Sequence, residues 1–272
     1  MKILNLAEES LDISFKELEN IIKIDPGLTS KILKIANSAL YARQTEIKSL
    51  QMAITLLGFK NIKSLILLIT ASSFFKKHKD SDFYNSFWKH AIFSAFIGKK
   101  ITIFCQQKEL SENVFLSALL HNMGKIALYN YAPELYQKAI SEETNEIISL
   151  EELEEKYFKV NHKIVGSELF KKWNFPDIFV DTSAEHDSVN ITSPFKVIII
   201  YVSVAGLLSD KLGFGFYSEK KDQLLKQLLK HTNLKPEYLD YFENQYLTEL
   251  QDDPLFIQCQ SLFNIQKLSR NS

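Results

Sequence analysis

Apolar residues recur at helical spacing along nearly the whole chain, and no short alternating strands stand out between turn clusters. In "DPGLTSKILKIANSAL" Asp25 is placed as an N-cap, and Pro26 takes the first helical position, where a missing N–H costs nothing. Ile32, Ile35, Ala36 and Ala39 then form one apolar stripe. "SLQMAITLLG" predicts a second helix, with Ser49 as its cap and Gly58 as a left-handed stop. "NIKSLILLITASSFF" follows at once, apolar nearly all round, and so belongs in a core. Two helices meeting at one glycine have the outline of a helix-turn-helix. A recognition helix cannot present Leu-Ile-Leu-Leu-Ile to a major groove, so ordinary helical packing is the expectation.

The polar stretch "KKHKDSD" (76–82) is the best candidate boundary between subdomains. Beyond it the pattern predicts a long helix through "FYNSFWKHAIFSAFIGKKITIF", a helix ending at His121 and another opening near Pro133. A capping box from Ser149 to Glu152 opens the next, Asn161 caps "NHKIVGSELFKKWNFP", and Pro176 begins a further one. "SPFKVIIIYVSVAGLLSDKLGFG", "EKKDQLLKQLLKH" and "PEYLDYFENQYLTEL" complete the set. Trp88, with Ile92 and Ala95, and Trp173, with Leu169 and Phe170, lie on apolar stripes and are expected in the core. The acidic "SEETNEIISLEELEEK" reads as a solvated helix face and loop. The prediction is an all-α protein: an N-terminal helical bundle (about 1–80) packed on a larger helical bundle (about 81–272).

Composition narrows the function classes. With Lys+Arg at 32 against Asp+Glu at 33, there is no general electrostatic attraction to nucleic acid or an anionic membrane. Lysines are spread evenly, without the aromatic interleaving of a strand-binding surface. Cys105 and Cys259, far apart in apolar surroundings, read as buried thiols of a reducing compartment. The start lacks the basic-then-apolar order of a signal peptide. The run "VIIIYVSVAGLL" is shorter than the ~20 residues of a membrane span, so it is expected as a buried helix of a cytoplasmic protein.

Four histidines stand in patterned surroundings: His90 in "FWKHAIFSA", His121 in "LLHNMGK", His162 in "NHKIVG" and His186 in "AEHDS". Imidazole ligates transition metals, and carboxylates complete such sites and orient the rings. Four helices could bring these residues to one metal. On spacing alone, a helix-borne histidine with a satisfied hydrogen bond in a core is the commoner situation.

Several motifs in order carry a resemblance to a known family. "DPGLTSKILKIANSALY", "SLQMAITLLGFKNIKSLIL", "FWKHAIFSAFIGKKI", "FLSALLHNMGKIAL" and "NHKIVGSELFKKWNFPDIFVDTSAEHD" resemble, over about residues 15–215, the HDOD family of signalling domains, which is related to the HD phosphohydrolases. In active relatives a metal is held by a first His, a His-Asp pair and a later Asp. His90 and His121 match the first two, but Asn122 replaces the Asp, and the later Asp would fall near Gly206. The family's adjacent His pair becomes His186-Asp187, which could restore one oxygen ligand. Lys125, a phosphate-contacting position in active relatives, is expected to cap the turn after Gly124.

Phosphoester hydrolysis at such a site needs a metal to activate water and neutralise phosphate charge, and an amide lacks the charge a carboxylate brings. The resemblance therefore implies a non-catalytic signalling module, with His90, His121, His162, His186 and Asp187 as a vestigial metal set. No cofactor is expected; were a metal held, iron, manganese or zinc would suit the histidines. The expected partner is a signalling protein or small ligand, with self-association as a further form, and with neither nucleic acid nor membrane insertion. The alternative is a residual metal-dependent phosphohydrolase using those same residues.

Overall fold

Side-chain caps fix where several of the helices begin. The computed structural model describes residues 22, 29–30, 32–33, 36, 47–58, 62, 66, 81–145, 148–173 and 175–262. Among them all regular structure is helical. The helices are α1 (Leu50–Leu57), α2 (Asp82–Phe104), α3 (Ser111–Leu120), α4 (Met123–Tyr131), α5 (Pro133–Asn145), α6 (Leu150–Phe158), α7 (His162–Lys172), α8 (Asp177–Glu185), α9 (Lys196–Ser209), α10 (Glu219–Leu229), α11 (Pro236–Asn244), α12 (Tyr246–Leu250) and α13 (Pro254–Leu262). A short 3-10 turn precedes α3, and a π-turn, Asp210–Phe214, follows α9.

Ser49, Ser81 and Ser218 each accept a backbone N–H two or three residues into the helix they cap. Ser149 and Glu152 form the expected capping box, and Asn161 accepts from both Lys163 and Ile164. Such caps satisfy the donors that a helix start leaves open. Gly58 has a positive φ of 84° but an extended ψ of 147°, so it stops α1 without the left-handed conformation expected of it. Asp25, Pro26 and the polar segment 76–80 lie outside the described residues.

α9 packs against α2 and α3, α7 lies against α4 and α8, and α8 in turn touches α3 and α9. Ile32, Ile54, Ile62 and Ile66 belong to the same buried apolar cluster as Trp88, Phe96 and Val202. The Lys196–Phe214 helical run is long and apolar enough to cross a membrane by composition, but 72% of that window is buried inside the protein. Its apolar faces are consumed by α2 and α3, as the sequence led one to expect. Trp88 is fully buried, whereas Trp173 terminates α7 and is only half-buried, edge-on to Phe170. Trp173 is the last residue of its stripe, and the core no longer closes over it.

Two glycines let the helices that carry the histidines touch. A Cβ on Gly124 would overlap the carbonyl oxygen of His162, well inside the 3.0 Å that real Cβ atoms keep. A Cβ on Gly166 would overlap Ser183 Oγ and lie 3.3 Å from the Gly124 nitrogen. α4 and α7 therefore meet backbone to backbone, and Gly166 lets the Ser183 side chain of α8 lie against α7. The expected turn after Gly124 is absent: α4 runs on through Lys125, whose N–H bonds the Asn122 carbonyl at 2.9 Å.

Candidate functional site

The predicted histidines converge. His90 projects from the middle of α2, His121 ends α3, His162 opens α7 and His186 ends α8. Ring centroids are 5.5 Å apart for His90–His121, 4.9 Å for His121–His186 and 5.4 Å for His162–His186. His121, His162 and His186 are buried.

Each ring is held from behind through Nδ1. His90 Nδ1 lies 2.8 Å from Asp210 Oδ1, and His162 Nδ1 lies 2.6 Å from Glu154 Oε2. His121 Nδ1 donates to the Ala118 carbonyl at 2.6 Å, and His186 Nδ1 to that of Ser183 at 2.9 Å. A carbonyl only accepts, so these two rings carry their proton on Nδ1 and offer a lone pair at Nε2. Burial first, and then the neighbouring rings, hold the pKa of both His121 and His186 well below the imidazole range. Both are neutral.

The inward nitrogens are largely spent on one another. The Asn122 amide Nδ2 lies 2.7 Å from His121 Nε2 and donates to its lone pair. His162 Nε2 and His186 Nε2 stand 3.3 Å apart, a contact that bonds only if a proton sits between them. Only His90 Nε2 among the four rings is buried without a partner, as is Asn122 Oδ1.

The two buried carboxylates stand behind the rings. Glu154 is fully buried; it accepts the Tyr136 hydroxyl at 2.6 Å and the His162 backbone N–H at 2.8 Å besides the His162 ring. Burial pushes its pKa up, yet His162 and Tyr136 outweigh this and hold it below the usual range. Asp210 behaves likewise. Burial opposes its charge, but His90 and Lys221, whose Nζ is 2.7 Å from Oδ2, keep it far below the ordinary carboxylate range. Gly215 makes room for this carboxylate, since a Cβ there would overlap Asp210 Oδ1 and lie 3.2 Å from His90 Nδ1.

Gly206 lies on the cluster, where the resemblance put the missing carboxylate. A Cβ built on it points between two rings, 3.6 Å from His121 Nε2 and 3.9 Å from His90 Nε2. Asp187 sits at a left-handed φ of 55° and donates its backbone N–H to Ser203 Oγ at 2.8 Å. Its carboxyl is raised by burial and opposed by Lys163 and Lys221, and none of the four rings uses it as a partner. The sequence reading missed Asp210 and Lys221, which lie past the last motif. It also missed Glu154, which it placed on a solvated face. One signal for Glu154 was present: with Leu150, Leu153 and Tyr157 it occupies the i, i+3, i+4, i+7 stripe of α6.

Metal ligands present free lone pairs inward, and outer groups fix the rings from behind. Here the outer groups are in place, but the inner set does not fit a metal. His121 Nε2 is used by Asn122, His162 Nε2 and His186 Nε2 stand against each other at 3.3 Å, and Gly206 offers no carboxylate between the rings. Among the described residues no three His, Cys, Asp or Glu side chains are disposed to hold an ion.

Helices bringing four histidines together around such a core define an all-helical domain built about a histidine cluster. The HDOD domain family matches residues 1–189, and the chain belongs to that family. An uncharacterized protein of Treponema pallidum (strain Nichols) is 21% identical over 202 residues, 74% of this chain and 39% of that protein. The chain thus spans well under half of that relative's length. Among solved structures, an HDOD domain protein of unknown function from Geobacter sulfurreducens superposes with TM-score 0.71 at 20% identity, covering 96% of this chain and 91% of that one. A candidate signal transduction protein from Marinobacter aquaeolei VT8 gives 0.78 at 19%, covering 96% of this chain and 58% of that one. A candidate phosphohydrolase from Shewanella amazonensis SB2B gives 0.70 at 18%, covering 96% and 91%. These likenesses establish the fold. Asp210 and Lys221 lie beyond the matched residues.

Proposed function

We propose that this chain is a non-catalytic regulatory module of the bacterial cytoplasm that acts by binding a signalling protein or small ligand. One observation carries the reading: the inward face of the histidine cluster is closed by Asn122 and by the His162–His186 contact, with Gly206 where a ligand carboxylate would stand. Without a metal there is no Lewis acid for the phosphoester and no activated water. The family membership and the fold shared with a candidate signal transduction protein support a signalling role. The near-neutral charge speaks against nucleic acid as the partner, and the buried α9 supports a cytoplasmic location.

A second reading, a residual phosphohydrolase, is favoured by the preserved Nδ1 anchors and by the unpartnered Nε2 of His90. Elemental analysis of the purified protein, with an assay on bis(4-nitrophenyl) phosphate, separates the two. Substoichiometric metal and no hydrolysis are expected; stoichiometric iron, manganese or zinc with turnover would overturn the regulatory reading. Asn122→Asp with Gly206→Asp should then gain Mn²⁺-dependent thermal stability that wild type and either single variant lack.

A further inference from the structure

Glu143, Ile148, Ser149, Phe216, Ser218 and Lys221 line a cavity of about 380 Å³ between the α5–α6 connection and the start of α10. That volume falls within the range of small-molecule sites. Two helix N-termini meet there, those of α6 and α10, an arrangement that would ordinarily invite an anion.

The protein's own groups have already met that demand. The Glu143 carboxyl accepts the Leu150 N–H, the Glu152 carboxylate closes the capping box at Ser149, and Ser218 Oγ accepts from Lys221 N. The Lys221 ammonium is committed to Asp210 Oδ2 and the Phe216 carbonyl, each at 2.7 Å, and Lys220 acts on Glu152. Glu143 is 7% exposed and lies at the cavity wall. Its charge is opposed by burial and favoured by Lys221 and Lys125, so among the described residues it has counter-charges at a distance and the Leu150 N–H as a bonded donor. Ile148 and Phe216 supply apolar walls.

We infer that this cavity binds a small ligand with a flat apolar body and a cationic, N–H-donating head, an amidine or amine, whose head bonds Glu143. The body lies between Ile148 and Phe216. Such a ligand would touch Lys221, which is bonded through Asp210 to His90, so the site abuts the histidine cluster. The inference deepens the regulatory reading by naming a ligand class, but the binding itself is tested apart from metal content.

Benzamidine and benzoate, which share a ring and differ in head charge, are suitable probes by ¹⁵N-resolved NMR titration of the full chain. Benzamidine should shift the amides of residues 148–150 and 216–223, and benzoate should bind at least about tenfold more weakly. Glu143→Gln should weaken benzamidine by about tenfold or more. Ile148→Trp, at a position 37% exposed and so tolerant of bulk, should block it. Equal or tighter binding of benzoate, shifts confined to other surfaces, no binding of benzamidine at all, or full affinity in both variants would each overturn the assignment. Failure of benzamidine to bind a metal-free, inactive protein would sink this inference and leave the regulatory reading standing.

Discussion

Alanine at Gly124 and at Gly206 should have opposite effects on stability, although both are glycines inside helices at the same site. Gly→Ala in a helix interior ordinarily gains about 1 kcal/mol from reduced backbone entropy in the unfolded chain. At Gly206 the new methyl would lie 3.6 Å from its nearest neighbour, an ordinary contact, so most of that gain should be realised. At Gly124 the methyl would overlap the His162 carbonyl oxygen and lie 2.8 Å from the Gly166 nitrogen, both backbone atoms that no rotamer change can move. Helices α4 and α7 would have to separate. Overpacking of that kind costs about 3 kcal/mol or more, so the net loss should be about 2 kcal/mol or greater. For a chain of this size that is a fall in Tm of roughly 4–8 °C. Calorimetry of both variants tests this, and ¹H–¹⁵N spectra of the histidine rings would show the His162–His186 contact disturbed only in Gly124→Ala. A Gly124→Ala protein as stable as wild type would refute the close approach. A Gly206→Ala protein losing more than about 1 kcal/mol would mean that packing, and not the loss of a ligand, explains that glycine.

Acid should destabilise the fold before the carboxylates titrate. His121 and His186 stay neutral when folded but take up protons when unfolded below about pH 6.5, so each removes about 1.4 kcal/mol per pH unit as pH falls below that value. Glu143 and Asp187, raised in the folded state, offset part of this, and urea unfolding at pH 7.5 and 5.5 that gave equal stabilities would contradict the neutral assignment. Asp210, held low by His90 and Lys221 against its burial, contributes stability above the ordinary carboxylate range that is lost only as pH falls through strongly acidic values. Glu154→Gln, which disturbs the buried carboxylate bonded by the His162 ring, the His162 N–H and the Tyr136 hydroxyl, should cost about 1–3 kcal/mol in the same assay; no loss at all would deny that network. Trp88→Ala should cost about 3–5 kcal/mol and Trp173→Ala distinctly less, a ranking that melting curves of the two variants check directly.

What the sequence made legible follows the range of the interactions involved. Caps at Ser49, Ser149 and Asn161 act within one helical turn and were readable residue by residue. α4 was not anticipated, because only the non-helical φ and ψ of Asn122, −98° and 14°, separate it from α3, and the glycine that suggested a turn, Gly124, lies inside α4. The break at Gln245 between α11 and α12 is equally unmarked, and α13 was not foreseen. The four histidines were found through their motifs. Their anchors were not, since Asp210 and Lys221 reach His90 only through the return of α9 along α2.

On the regulatory reading proposed above, the placement of charge is what lets this site persist without a cation. In a metal centre, carboxylates face inward and their mutual repulsion is tolerated because an ion lies between them. Here both anions of the cluster, Asp210 and Glu154, stand on the Nδ1 side of the rings. Each has its own partners: Lys221 and His90 for Asp210, and for Glu154 the His162 ring, the His162 backbone N–H and the Tyr136 hydroxyl. The interior between the rings holds only imidazole nitrogens and the Asn122 amide, and so asks for no ion. Aspartates at both 122 and 206 would reverse this by burying two anions with no cation within bonding distance, a cost of several kcal/mol that only a bound metal would offset. On the regulatory reading proposed above, an amide and a glycine in place of those carboxylates are what would free the scaffold from needing a metal.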